Sequence, residues 1–216
     1  MTIKVKICGL KTAAAVEAAL AGGADYVGFV FYPPSPRNIA PAAAAEIAQR
    51  ARGRARIVAL LVDPDDALIE RVIAALAPDL IQLHGIETPE RVEETRARFK
   101  RPVMKAIKVE TADDAWQALS YRDVADLILF DAKAPKDWPE ALPGGNGVPF
   151  DWHVLNGVKD KVPYMLSGGL TPSNVAQSIR LTGAAAVDVS SGVEARPGEK
   201  DLSLIARFLA AAKAAS

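Results

Sequence analysis

IKVKICGLKTAAAVEAALAGG, residues 3–23, holds one complete strand–helix unit. Ile3, Val5 and Ile7 alternate along its first stretch, the period of a β-strand. Ala15, Val16, Ala19 and Leu20 then fall on one face of a helix, and Gly22-Gly23 stops it. The same unit repeats outward along the chain. Strands are predicted at 3–7, 26–31, 57–62, 80–83, 103–107, 127–130, 164–166 and 186–189. Helices are predicted at 12–21, 41–51, 65–76, 88–99, 112–119, 151–158, 172–182 and 201–213. Several strands are apolar on both pleat faces, as buried parallel strands are. Thr88-Pro89 and Thr171-Pro172 each place a capping hydroxyl before a proline at the first helical position, and Gly183 follows the helix it stops.

Eight such units in 216 residues average about 27 residues each, and they close most simply into an α/β fold, a (β/α)8 TIM barrel. Residues 1–216 are therefore expected to form a single barrel domain. A doubly wound open sheet is the alternative, but no GxGxxG follows the first strand. Residues 133–146, rich in proline and glycine (Pro139, Pro143, Gly144, Gly145), read as a mobile loop after the sixth strand.

Bulk composition narrows the partners. Lysine and arginine number 26, as do aspartate and glutamate, so no basic face is implied for nucleic acid or membrane. The single cysteine, Cys8, makes no intrachain disulfide and no CxxC motif. His84 and His153 lack metal-ligand spacing, so no metal and no cofactor is expected. The N-terminus opens on a strand pattern instead of a signal peptide, and no apolar run reaches the roughly 18 residues of a membrane helix. A cytoplasmic protein, monomer or homodimer, is the expectation.

In a parallel barrel the residues at the strand tips face one shared mouth. Here those tips are Cys8, Tyr32 to Arg37, Asp63, His84, Lys108, Asp131, Ser167-Gly168-Gly169 and Ser190-Ser191-Gly192. Gly168 and Gly169 after strand seven, and Ser190, Ser191 and Gly192 after strand eight, occupy the positions where this fold binds phosphate through backbone amides. Asp131 ends an apolar strand, where desolvation favours a protonated carboxyl suited to a general acid. Cys8, near cations or helix-end amides, would shift toward thiolate and suit a general base. One group to give a proton and one to take it describe an isomerase with neither metal nor redox cofactor. Arg37, on a loop stiffened by Pro33, Pro34 and Pro36, is placed to grip a carboxylate bidentately. His84 could donate to a substrate oxygen or equally be a tautomer fixed by a backbone carbonyl. Asp63 reads as the cap of the helix that follows it.

Lys6–Leu10, the loop Phe31–Arg37, Gln82–Gly85, Phe130-Asp131, Gly144–Gly147 with Phe150–Trp152, Ser167–Leu170 and Asp188–Glu194 appear in the order and spacing of one family. The chain resembles phosphoribosylanthranilate isomerase of tryptophan biosynthesis over nearly its whole length. One departure is Asn146, where that family commonly has Thr. The resemblance implies an Amadori rearrangement of N-(5′-phosphoribosyl)anthranilate, a small phosphosugar, to 1-(2-carboxyphenylamino)-1-deoxyribulose 5-phosphate. It makes Asp131 the general acid, Cys8 the general base and Arg37 the partner of the anthranilate carboxylate. The rivals are another phosphosugar barrel (an epimerase, an aldolase, or a lyase working through Lys108) and a non-catalytic sensor of a phosphate ligand.

Overall fold

In the computed structural model, which describes residues 2–134, 143–147 and 149–215, eight parallel strands close into a barrel. The order is β1 (Lys4–Cys8), α1 (Ala13–Ala21), β2 (Tyr26–Phe31), α2 (Pro41–Ala48), β3 (Arg56–Leu61), α3 (Asp66–Leu76), β4 (Leu80–Leu83) and α4 (Pro89–Phe99). Next come β5 (Val103–Val109), α5 (Ala112–Trp116), β6 (Leu127–Ala132), β7 (Tyr164–Leu166), α6 (Val175–Thr182) and β8 (Ala186–Val189). A hairpin of β9 (Glu194–Arg196) and β10 (Glu199–Lys200) precedes α7 (Leu202–Lys213). β1 pairs with β8 from Lys4↔Ala186 to Ile7↔Val189, which shuts the ring.

All eight predicted strands form. The helices expected at 41–51 and 112–119 finish as 3-10 turns, Gln49–Ala51 and Gln117–Tyr121, and two others depart further. Residues 151–158 make only a 3-10 turn at Trp152–Leu155. The Asp151 carboxylate accepts from the His153 amide and starts the turn, and Asn156-Gly157 follows it. A Cβ at Gly157 would lie 3.0 Å from the Trp116 ring, so this backbone packs directly against α5. Thr171-Pro172 does not open a helix either. The Asn174 side chain accepts from the Thr171 amide in a preceding turn, and α6 begins at Val175. Of the loop read at 133–146, residues 135–142 lie outside the described residues.

Alternation along each strand sorts the core into two layers. Val5, Ile7, Phe29, Leu61, Ile81, Ile128 and Phe130 pack outward under the helices. Tyr26, Val58, Leu80, Met104, Ala106, Leu129, Met165 and Ala186 fill the lower barrel. Three even strands begin with one shared device. The Asp25, Asp79 and Asp126 carboxylates accept from the amides of Val5, Ile57 and Val103 at 2.8, 2.7 and 2.8 Å. Their own amides donate back to the carbonyls of the same three residues. Each aspartate thus pins the start of its strand to the preceding one by two bonds.

Candidate active site

The inner face of β1 carries Lys6 and, above it, Cys8 at the mouth. Lys6 is fully buried, and its ammonium donates to Asp188 Oδ1 of β8 at 2.8 Å. Ser167 Oγ of the β7 tip donates to the other oxygen of Asp188 at 3.2 Å. Gly28 stands opposite Cys8 in the β1–β2 register. A Cβ there would come 3.0 Å from Cys8 Sγ and 3.2 Å from Lys6 Cε, so the absent side chain makes room for thiol and lysine stem together. Val30 and Leu60 pack beside the thiol.

Cys8 is 3 % exposed, and burial pushes its thiol up. The Lys6 ammonium pulls the other way, and Asp188 adds to the rise. The expected drift toward thiolate is therefore corrected: desolvation outweighs the nearby cations. Burial also works against the Lys6 charge, but Asp188 and Cys8 overcome it and hold Lys6 at about 12.

β6 delivers Asp131 to the same cavity. Asp131 Oδ1 accepts from the Ala132 amide at 3.0 Å, and Oδ2 lies 3.1 Å from His84 Nε2. His84 Nδ1 in turn meets the Gln82 side-chain amide at 2.8 Å. Both imidazole nitrogens are therefore engaged within the protein, and His84 faces the acid instead of offering a free donor to a ligand. Gly144 lies directly on this pair. A Cβ there would sit 2.6 Å from His84 Nε2 and 2.8 Å from Asp131 Oδ2.

Arg37 is buried at the cavity wall. Its Nε and Nη2 donate to the two oxygens of Glu194 at 2.8 Å each, and Nη2 also donates to the Gly145 carbonyl at 3.1 Å. The fork expected to grip a ligand is thus already occupied on one edge. Nη1 makes no hydrogen bond among the described residues. Burial opposes the Glu194 charge, but Arg37 and Lys200 prevail and hold this carboxyl below the usual range.

Gly168, Gly169, Ser190 and Ser191 line the cavity, as the strand-tip reading expects. Gly192 does not. A Cβ there would fall 1.8 Å from the Leu170 carbonyl oxygen, so this glycine lets the β7 and β8 loops touch. Ser190 Oγ is also committed: it donates to the Cys8 carbonyl at 3.2 Å. Asp63 is no helix cap. Asp65 caps α3, and Asp63, at φ 44°, accepts from the Ile86 amide and so joins two loops. Lys108 is not among the lining residues.

Lys6, Asp188, Glu194 and Lys200 hold the site together, and the strand-tip reading assigned them no role. Lys6 shares the inward-facing period of β1 with Lys4, and only burial of the first and exposure of the second separate them. Among the described residues no group of His, Cys, Asp and Glu is arranged to hold a metal ion, and no helix is long and apolar enough to cross a membrane.

A thiol and a carboxyl facing one cavity, beside glycine-rich loops at the C-terminal mouth of a closed parallel barrel, give the architecture of a (β/α)8-barrel enzyme. A family model described as N-(5′-phosphoribosyl)anthranilate (PRA) isomerase matches residues 5–211, and the chain belongs to that family. It is 53% identical to the N-(5′-phosphoribosyl)anthranilate isomerase of Bradyrhizobium sp. (strain ORS 278), covering 100% of this chain and 97% of the relative. The isomerase of Rhodospirillum centenum is 55% identical, covering 99% and 100%. The crystal structure of the isomerase from Thermotoga maritima superposes with a TM-score of 0.88 at 37% identity, covering 98% and 99%. A second crystal structure, an isomerase in complex with reduced 1-(o-carboxyphenylamino)-1-deoxyribulose 5-phosphate, gives 0.85 at 35% identity with the same coverage.

Proposed function

We propose that this chain isomerises N-(5′-phosphoribosyl)anthranilate to 1-(2-carboxyphenylamino)-1-deoxyribulose 5-phosphate in tryptophan biosynthesis. The observation that carries the reading is the convergence of Cys8 and Asp131 on one cavity walled by Arg37 and the β7 and β8 loops. In this reading Asp131 protonates the ring oxygen, and the C1′–O bond opens as the anilino nitrogen forms an imine. The cationic imine acidifies the C2′ proton. Cys8 removes it to give an enolamine, which tautomerises to the ketone.

The electrostatics fit a delayed base. Cys8 must lose its proton to solvent before it can take one from C2′; burial opposes that loss, and Lys6 beneath it favours the thiolate once formed. His84 steadies Asp131, while Gln82 fixes the imidazole ring. Backbone amides of the Gly168-Gly169 and Ser190-Ser191 turns are suited to the phosphate. Arg37 is suited to the carboxylate through the edge that Glu194 leaves open. Anchoring both ends of the substrate sets C2′ against the thiol. Structural likeness alone does not favour the aldolase rival. The 2-keto-3-deoxy-6-phospho-gluconate aldolase of Zymomonas mobilis superposes at a TM-score of 0.64 but is 18% identical, which speaks for a shared barrel only.

The test is turnover: anthranilate-type fluorescence of the substrate falls when purified protein is added. No change at high protein concentration overturns the proposal, and a borohydride-trapped adduct on Lys108 favours a lyase.

A further inference from the structure

Lys200 is a buried ammonium beside the site that the chemistry above does not use. It comes from β10, outside the barrel. Its Nζ donates to Glu194 Oε1 at 2.7 Å, to the Ser190 carbonyl at 2.8 Å and to Ser190 Oγ at 3.2 Å. All three of its protons are engaged. The Lys200 and Glu194 side chains are only 3 % and 4 % exposed. Burial lowers the Lys200 ammonium, and Glu194 opposes that only in part.

The stoichiometry of this cluster is informative. One carboxylate, Glu194, is shared by two cations, Arg37 and Lys200. A bidentate Arg–Glu pair alone is neutral, and its field at a third group is that of a weak dipole. Adding Lys200 leaves a net charge of one in a dry setting. Of the three residues, only Arg37 lines the cavity, and its Nη1 is the donor left over. The surplus charge reaches the carboxylate side of the cavity through Arg37, while Lys200 touches the cavity wall itself only through Ser190. A buried unbalanced cation is costly until an anion arrives.

We propose that Lys200 is a positioning residue for the substrate: it neutralises Glu194, so that Arg37 meets the substrate carboxylate as an undiminished cation. Glu194 still sets the angle of the guanidinium, and Lys200 removes the electrostatic cost of that alignment. The inference rests on the Arg37 reading above.

The experiment measures binding by calorimetry for three ligands: reduced 1-(o-carboxyphenylamino)-1-deoxyribulose 5-phosphate, its phenylamino counterpart without the carboxyl, and its dephosphorylated counterpart. Wild type loses about tenfold or more in affinity when the carboxyl is removed. In Lys200→Met that penalty collapses to near unity, while the penalty for removing phosphate, which the lost bonds to Ser190 also touch, falls by a much smaller factor. Lys200→Arg keeps the carboxyl penalty. In Glu194→Gln/Lys200→Met the neutral amide no longer drains Arg37, and the carboxyl penalty returns. If wild type shows no carboxyl penalty, the Arg37 reading itself fails. If wild type and Lys200→Met show the same carboxyl penalty, or the phosphate penalty collapses instead, the role of Lys200 is overturned. A merely structural loss weakens all three ligands alike and also overturns it.

Discussion

The two rims of the barrel use their charges in opposite ways. At the N-terminal rim, Asp25, Asp79 and Asp126 bind backbone amides beside solvent, each joining two strands. At the C-terminal rim, Asp131, Asp188 and Glu194 are buried and bind other side chains: His84, Lys6, Ser167, Arg37 and Lys200. A carboxylate on a backbone amide steadies the fold. A carboxylate held among movable protons and cations can tune a reaction, and it costs stability to keep there. The same scaffold divides the two tasks between its ends.

That division is open to test. The largest effect is expected at the C-terminal rim. Cys8→Ala and Asp131→Asn should each lower kcat by about 10²–10⁴-fold with little change in melting temperature. A loss below about tenfold breaks the assignment of acid and base. Next comes pH. The base must lose its proton, and burial raises the Cys8 thiol above its ordinary value of 9.0, so the reactive fraction shrinks as pH falls. The rate of iodoacetamide alkylation of Cys8 should therefore climb about tenfold per pH unit up to and beyond pH 9, without levelling near 8, while kcat/KM, which also needs Asp131 protonated, should not climb in step. An early plateau would mean that Lys6 prevails over burial. Arg37→Ala should raise KM by about tenfold or more and move kcat less. An unchanged KM removes the carboxylate clamp.

The smallest effects belong to the N-terminal rim. Asp79→Ala should cost about 1 kcal/mol in urea unfolding and leave kcat intact. The corresponding changes at Asp25 and Asp126 should add to it, since the three bonds lie on separate strand pairs. A drop in kcat from any of them would blur the contrast between the rims.

The strands were legible because punctuation brackets them: β2, β4, β7 and β8 match their predicted bounds to the residue. The cavity was legible wherever a chemically distinctive residue ends an apolar run, as Cys8 and Asp131 do. The β9–β10 hairpin was not. It is short and charged, and nothing local separates Glu194 and Lys200 from solvated residues until the fold buries them around Arg37. Trp152–Leu155 misled for the reverse reason: its apolar spacing suits a helix, but packing on α5 leaves room for a single turn. The state of the Cys8 proton was misjudged because neighbours in sequence reveal cations more readily than they reveal dryness.

The seam between the first and last strands has a consequence for biosynthesis. β1 finds its second partner only in β8, and Lys213 at the end of α7 then donates to the Ile3 carbonyl at 2.9 Å and pairs with Asp25. During translation, the earliest strand emerges long before the segment that covers its free edge. A ribosome that stalls ahead of Ala186 holds an open sheet with two adhesive margins, a natural client for chaperones.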